Sequence, residues 1–225
     1  MASTPKTSVD VELVPVEATD LLWVAENNFK TFPTFYEPLF TPASSRPPHD
    51  VLVQRFAKRL EPLISSPHIL AIKAVLASGP EKGKAVGHTL WHRPGAPVRN
   101  MKRPFPAIPE EEKENWDGTD VEKWETKWAG WDATRARIMG DIPHWYIAPI
   151  WIIPEYQGQG IGRKLMQQVI DLADQHTPSQ PIFLEASKDG QPMYEKLGFV
   201  VEGGSEYVEM VRWGKNGERR EESGH

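Results

Sequence analysis

Two hydrophobic periods divide this chain. Residues 9–16 alternate apolar and polar side chains, the pattern of a half-buried strand. Thr19 or Asp20 can then cap a helix over residues 21–29. Pro33, Pro38, Pro42, Pro47 and Pro48 punctuate the next stretch, with Phe32, Phe35, Tyr36 and Phe40 among them, and predict loop. Asp50 opens a second helix with Val51, Phe56 and Leu60 on one side. Residues 69–76 and 85–91 read as two strands joined by a turn at 78–83, which makes a hairpin. Further on, an apolar strand-like run at 145–154 leads into a glycine-rich turn. Ile161, Leu165, Val169 and Leu172 follow it at helical intervals.

Residues 94–140 break this order. Pro94, Pro97, Pro104, Pro106 and Pro109 exclude a regular element from the first part. In the second part Val121, Trp124, Trp128 and Trp131 recur at intervals of three, four and three, which predicts a helix with three indoles on one stripe. Such a stripe buries a large area against the body of the protein, and beside a cleft it would also form a wall. The acidic residues between Glu110 and Glu125 read as a solvated face.

The glycine-rich turn is Gln157-Gly158-Gln159-Gly160-Ile161-Gly162. It stands where a strand hands over to a helix, and a helix N-terminus offers unpaired N–H groups and the positive end of a dipole to an anion. Glycine lets the backbone approach a phosphate closely. The spacing matches neither a dinucleotide-binding loop nor a Walker A loop: the third glycine comes one residue early for the former, and Lys164 is followed by no Ser or Thr for the latter. Q-x-x-G-x-G does match, through Gln157, Gly160 and Gly162. Downstream come Leu184-Glu185-Ala186-Ser187 and Met193-Tyr194-Glu195-Lys196-Leu197-Gly198-Phe199. Together these residues resemble the GCN5-related N-acetyltransferase (GNAT) superfamily, over residues 143–213.

The resemblance implies an α/β (α+β) fold, a mixed, mostly antiparallel central sheet with helices on both faces. It implies one domain over residues 1–225 with an insertion at 94–140, and acetyl-CoA as cosubstrate. The backbone of Ile150, Trp151 and Ile152 would pair with the pantetheine arm. The N–H groups of Gln157, Gly158, Gln159, Gly160, Ile161 and Gly162 would hold the pyrophosphate, assisted by Arg163 or Lys164. Tyr194 would be the general acid for the leaving thiolate, and Glu185, on the strand beside the cofactor strand, the candidate base. His144 and Asp141 precede the cofactor strand, His144 being a titratable group near neutrality and equally a structural one. The activity implied is transfer of an acetyl group to a primary amine of a small molecule by direct attack in a ternary complex. A non-catalytic acyl-CoA-binding protein and a protein N-acetyltransferase are the alternatives.

Composition narrows the partners. The net charge of −5 argues against nucleic acid. The absence of cysteine excludes disulfides, thiolate metal sites and a cysteine acyl relay. No His/Asp/Glu spacing suggests a metal. No run reaches the length of a membrane span, and residues 1–6 lack the apolar core of a signal peptide. A cytoplasmic protein, with a homodimer as one assembly open to it, is the expectation, with a polar tail that frays from residue 214.

Overall fold

The computed structural model describes residues 9–36, 41–100, 103, 108–204 and 207–215. The expectations for residues 1–6, Pro38, Phe40, Pro104, Pro106 and the tail beyond residue 215 lie outside the described residues. Seven strands form one sheet in the order β1-β2-β3-β4-β5-β7-β6. They are β1 (Val11–Pro15), β2 (Ile69–Leu76), β3 (Ala85–His92), β4 (Trp145–Ile152), β5 (Ile182–Ala186), β6 (Val200–Gly204) and β7 (Val208–Arg212). Every neighbouring pair is antiparallel except β4 and β5.

Helices cover both faces. On one, α5 (Ile161–Asp174) buries Ile161, Leu165, Met166, Val169, Ile170 and Ala173 against Val86, Trp91, Ile147 and Leu184 of the sheet. Leu172, expected on that stripe, is only partly buried. Each fully buried side chain of this kind is worth about 1.5–3 kcal/mol, so the start of α5 is held firmly at the end of β4. On the other face lie α1 (Leu21–Thr31), α2 (His49–Ile64), α3 (Lys113–Trp116) and α4 (Val121–Met139).

Two local expectations are corrected. The Asp20 side chain does not cap α1. Its carboxylate accepts the Glu17 N–H at 2.8 Å and pairs with Lys73 at 2.6 Å, tying the start of α1 to β2. In α2 the buried face carries Leu52, Val53, Phe56, Ala57, Leu60 and Leu63, and Val51 sits at its margin.

The segment 94–140 forms no strand among its described residues and contributes α3 and α4. Asp120 caps α4 by accepting the Lys123 N–H at 2.9 Å, and Gly140 ends it with φ +53°. The tryptophan stripe faces the body: Trp124 and Trp128 are buried and join Tyr36, Phe56 and Trp151 in one apolar cluster. Arg59 lies over the Trp116 ring at 4.5 Å and the Trp124 ring at 5.1 Å, and closes that cluster from the side of α2.

Candidate active site

β4 positions the site because it has a partner on only one edge for most of its length. It pairs with β3 from Tyr146 to Ile152, with one extra residue inserted between the pairs Thr89↔Ile150 and Trp91↔Ile147. Pro149, which has no N–H to give a ladder, sits within that bulge. Toward β5 it pairs only at Trp145↔Ile182 and Tyr146↔Phe183. From Ile147 onward the two parallel strands have separated. Ile150 and Ile152 anchor in the core under α5, and Trp151 packs on the opposite face, 5.0 Å from the Trp23 ring. Alternation thus fixes the strand by its side chains and leaves a backbone edge open.

β4 then runs through Pro154–Tyr156, a single 3-10 turn, into the glycine loop. Gly158 and Gly160 have φ of +76° and +84°, which L side chains rarely adopt, and a Cβ on either would project into open space. Gly160 is the residue before the first turn of α5. Among the described residues the N–H groups of Gly160, Ile161 and Gly162 have no protein acceptor, as at any uncapped helix start. The Gln157 N–H is already committed to the Pro154 carbonyl at 3.2 Å, and its side-chain amide donates to the Ile152 carbonyl at 2.9 Å. Gln157 therefore braces the loop and does not present its N–H to it. Lys164 also departs from expectation: its ammonium pairs with Asp10 and the Val11 carbonyl, both at 3.0 Å, on the side of β1. Arg163 is exposed beside the loop. Tyr156 braces the loop from outside, its hydroxyl bonded to Glu81 of the β2–β3 turn.

Where β4 and β5 part, a cleft of about 160 Å³ opens on the α4 side of the sheet. Glu185 of β5, Tyr146 of β4 and Tyr194 of α6 (Gln191–Glu195) meet there, with the backbone from Ile147 to Ile150 along one side. Phe32, Phe35 and Tyr36, just beyond α1, supply one wall, and Trp128, Trp131 and Tyr207 another. The structure thus brings Glu185, Tyr194 and Ile150 to one cleft, while the glycine loop lies at the far end of β4.

The electrostatics of the cleft follow from burial of the groups that meet there, Tyr146 and Tyr194 being buried and Glu185 partly so. Burial pushes the Glu185 carboxyl up to about 8, with Glu209 adding to the rise; Arg135 and the Tyr146 hydroxyl favour the carboxylate and limit it. Its Oε1 is shut off from solvent with no hydrogen-bond partner among the described residues. Burial alone raises the Tyr194 phenol to about 12. Tyr146 is likewise raised by burial and by the neighbouring Glu185. Arg135 reaches this group from α4: its guanidinium carbon stands 3.8 Å over the Tyr146 ring, and Nη2 donates to the Val98 carbonyl. Asp132, one turn earlier, lies 3.7 Å from Arg135 and accepts the Asn100 N–H and the Arg103 guanidinium. Helix α4 thereby sets a cation under the Tyr146–Glu185 pair. His144, by contrast, lies outside the cleft lining. Its Nδ1 is 2.6 Å from the Ile142 carbonyl, and burial lowers it to about 4, so it is neutral and structural.

Sequence reasoning passed over Tyr146, Arg135 and Tyr207. A signal existed for Tyr146: it stands opposite Phe183, so alternation puts it on the same sheet face as Glu185 two residues on. Arg135 lies seven residues from Trp128 and four from Trp131, on the stripe already singled out. No helix among the described residues is long and apolar enough to cross a membrane.

Residues 121–213 match the family described as acetyltransferase (GNAT) domain. An uncharacterised N-acetyltransferase of Schizosaccharomyces pombe is 35% identical over 63 residues, 28% of this chain and 25% of that protein. N-alpha-acetyltransferase 30 of the same yeast is 37% identical over 75 residues, 32% of this chain and 46% of that protein. The chain thus spans under half the length of the curated relatives it matches. A histone acetyltransferase HPA2 and related acetyltransferase from Corynebacterium glutamicum shares the fold, with a TM-score of 0.59 at 21% identity over 90% of this chain and 95% of that one.

Proposed function

We propose that this chain, which matches the GNAT acetyltransferase domain over residues 121–213, transfers the acetyl group of acetyl-CoA to a primary amine of a small molecule. The observation that carries the reading is the parting of β4 from β5, with free N–H groups at one end and a buried acid–base pair beside the other. An extended pantetheine arm fits the open edge at Ile150, Trp151 and Ile152, as an added strand would. The loop from Gly158 to Gly162 offers donors and the dipole of α5 to the pyrophosphate, and Arg163 stands ready as a counter-charge.

The chemistry follows from the cleft. The amine nitrogen attacks the thioester carbonyl carbon, a C–N bond forms and the C–S bond breaks. Glu185 takes the proton that the nitrogen loses. A carboxyl raised to about 8 is a stronger base than an ordinary one, which narrows the gap to an alkylammonium. Tyr194 gives its proton to the departing thiolate. Its buried phenol is a poor acid toward water but a suitable partner for a strongly basic thiolate in the same dry site. Both reactants bind before either product leaves, the amine attacking the thioester directly; the sequence has no cysteine for a thioester relay.

The test is release of free CoA from acetyl-CoA across a panel of amines, alongside calorimetry of acetyl-CoA binding. Binding with amine-dependent CoA release is the expected result. Binding without release would leave a non-catalytic acyl-CoA-binding protein, and no binding would end both readings.

A further inference from the structure

The cleft wall is more specific than a generic amine site requires. Phe35 and Trp131 stack at 5.6 Å with 14° between their planes, and Trp128 meets Trp131 edge-on at 4.6 Å. Tyr207 meets the same indole at 5.7 Å and 84°. Trp131 and Phe35 are only half-buried, whereas Trp128 behind them is buried; Phe35 stacks on Trp131 and Lys127 stands 5.2 Å over the same indole, so a ligand ring meets the pair beside these neighbours. Among the described residues lining the cleft, Glu185 is the only charged one. We infer that the acceptor is a primary amine borne on a short chain from an aromatic ring, the ring lying against Trp131 and Phe35 and the amine pointing at Glu185. This rests on the acetyltransferase reading and names its substrate class.

Three features of the acceptor follow from the wall. A flat ring gains offset or edge-on contact with the Trp131 and Phe35 pair, beyond the area it buries. The amine arrives as an ammonium, and rings facing it hold that cation; it gives one proton to solvent to become the nucleophile and the second to Glu185 as the C–N bond forms. Each hydroxyl of an amino sugar, or each further ammonium of a polyamine, needs a polar partner in a dry site, or its desolvation goes uncompensated. The described wall offers the hydroxyls of Tyr36, Tyr146, Tyr194, Tyr207 and Ser187 but a single carboxylate, so the further ammonium of a polyamine is left without a counter-charge. The wall has two origins: one half comes from the segment after α1 and the other from α4, so residues 94–140 supply only part of the enclosure.

The experiment compares kcat/KM, by CoA release, for 2-phenylethylamine and tryptamine against spermidine, glucosamine and a peptide with a free N-terminus. The aromatic amines are expected to lead the panel. Trp131→Leu keeps apolar bulk and removes the ring; it should raise KM for 2-phenylethylamine by roughly three- to tenfold while KM for acetyl-CoA stays put. Phe35→Leu should act in the same direction. Preference for spermidine, glucosamine or the peptide would overturn the inference, as would an unchanged amine KM in a folded Trp131→Leu protein that still binds CoA. If no amine is turned over, calorimetry of 2-phenylethylamine with the CoA-saturated protein decides. Binding weakened by Trp131→Leu keeps the aromatic site and ends the transferase reading; absence of binding ends the aromatic site.

Discussion

At its C-terminal end β4 meets a loop whose functional groups are backbone N–H; at its middle it faces a cleft whose functional groups are side chains. The loop is local. Six consecutive residues, two positive φ angles and the start of one helix make it. The cleft gathers residues from Phe32 to Tyr207, carried by the segment after α1, by α4, β4, β5, α6 and the approach to β7. A backbone site tolerates changes in side chains but not in backbone freedom. A side-chain site has the opposite sensitivity. Within one enzyme the two should fail differently, and variants can be ranked by how sharply they show it.

The largest effect is expected at Glu185. Glu185→Gln keeps the shape and removes the base, so kcat should fall about 10²–10⁴-fold with acetyl-CoA affinity unchanged. Single-turnover kinetics measure it without interference from product release. The same variant tests the pH dependence. With the folded carboxyl at about 8 against an ordinary 4.5, the native state keeps a proton that the unfolded chain releases between those values. Stability therefore falls as pH rises from about 4.5 to about 8, and kcat/KM climbs through about 8 as the base ionises. Glu185→Gln should flatten both. A stability difference between wild type and Glu185→Gln that fails to fall as pH rises over this range would show that the carboxyl is not held as a neutral acid.

Next comes Trp128→Ala, which removes a buried indole behind the aromatic wall and should cost about 3–5 kcal/mol in denaturant unfolding. At temperatures where the variant stays folded, the amine KM should suffer more than the acetyl-CoA KM. Equal loss in both would mean that α4 supports the sheet without shaping the acceptor side.

This contrast also explains what could be read from residues alone. The hairpin, both α1 and α2, the α4 stripe and the glycine loop each rest on a period or a spacing within a few residues, and the fold's order followed from them. Gln157 and Lys164 stood in the right stretch, yet their partners, Ile152, Asp10 and Val11, are set by packing of the loop and of α5 beside β1. Tyr146 became visible beside Glu185 only with the register of β4 on β5, and Arg135, although on the α4 stripe, gained its partner Tyr146 only with the placement of α4 beneath the sheet. Tyr207 lies 171 residues past Tyr36 in neither a motif nor a period, and only closure of the cleft joins them.

A smaller effect is expected at Gly160→Asp. A side chain at φ +84° costs about 1–2 kcal/mol, although aspartate tolerates this region better than most residues and its Cβ meets nothing within 4 Å. The protein should therefore fold, while a carboxylate at the helix start opposes the pyrophosphate. Acetyl-CoA affinity should fall roughly tenfold or more, the equivalent of about 1.4 kcal/mol. Calorimetry showing wild-type affinity would remove Gly160 from the phosphate site, and amine binding should be untouched in either case.

The smallest change, Gly162→Ala, separates the two kinds of site most cleanly. Gly162 lies in the first turn of α5 with no positive φ, and a Cβ there would meet Met193 Sδ at 3.5 Å, an ordinary contact. Alanine is the better helix former by about 0.8–1.0 kcal/mol in a helix interior, so the melting temperature should hold or rise slightly. The new methyl group also stands beside the N–H groups assigned to the pyrophosphate, where glycine permits close approach. Acetyl-CoA binding should weaken by a few-fold while stability does not, and the aromatic-amine KM should stay constant at saturating acetyl-CoA. Loss of stability would mean that Met193 cannot yield and that the glycine serves packing of α5 on α6. Unchanged affinity with unchanged stability would mean that the ligand keeps clear of this turn, confining the phosphate contacts to Gly158 through Ile161.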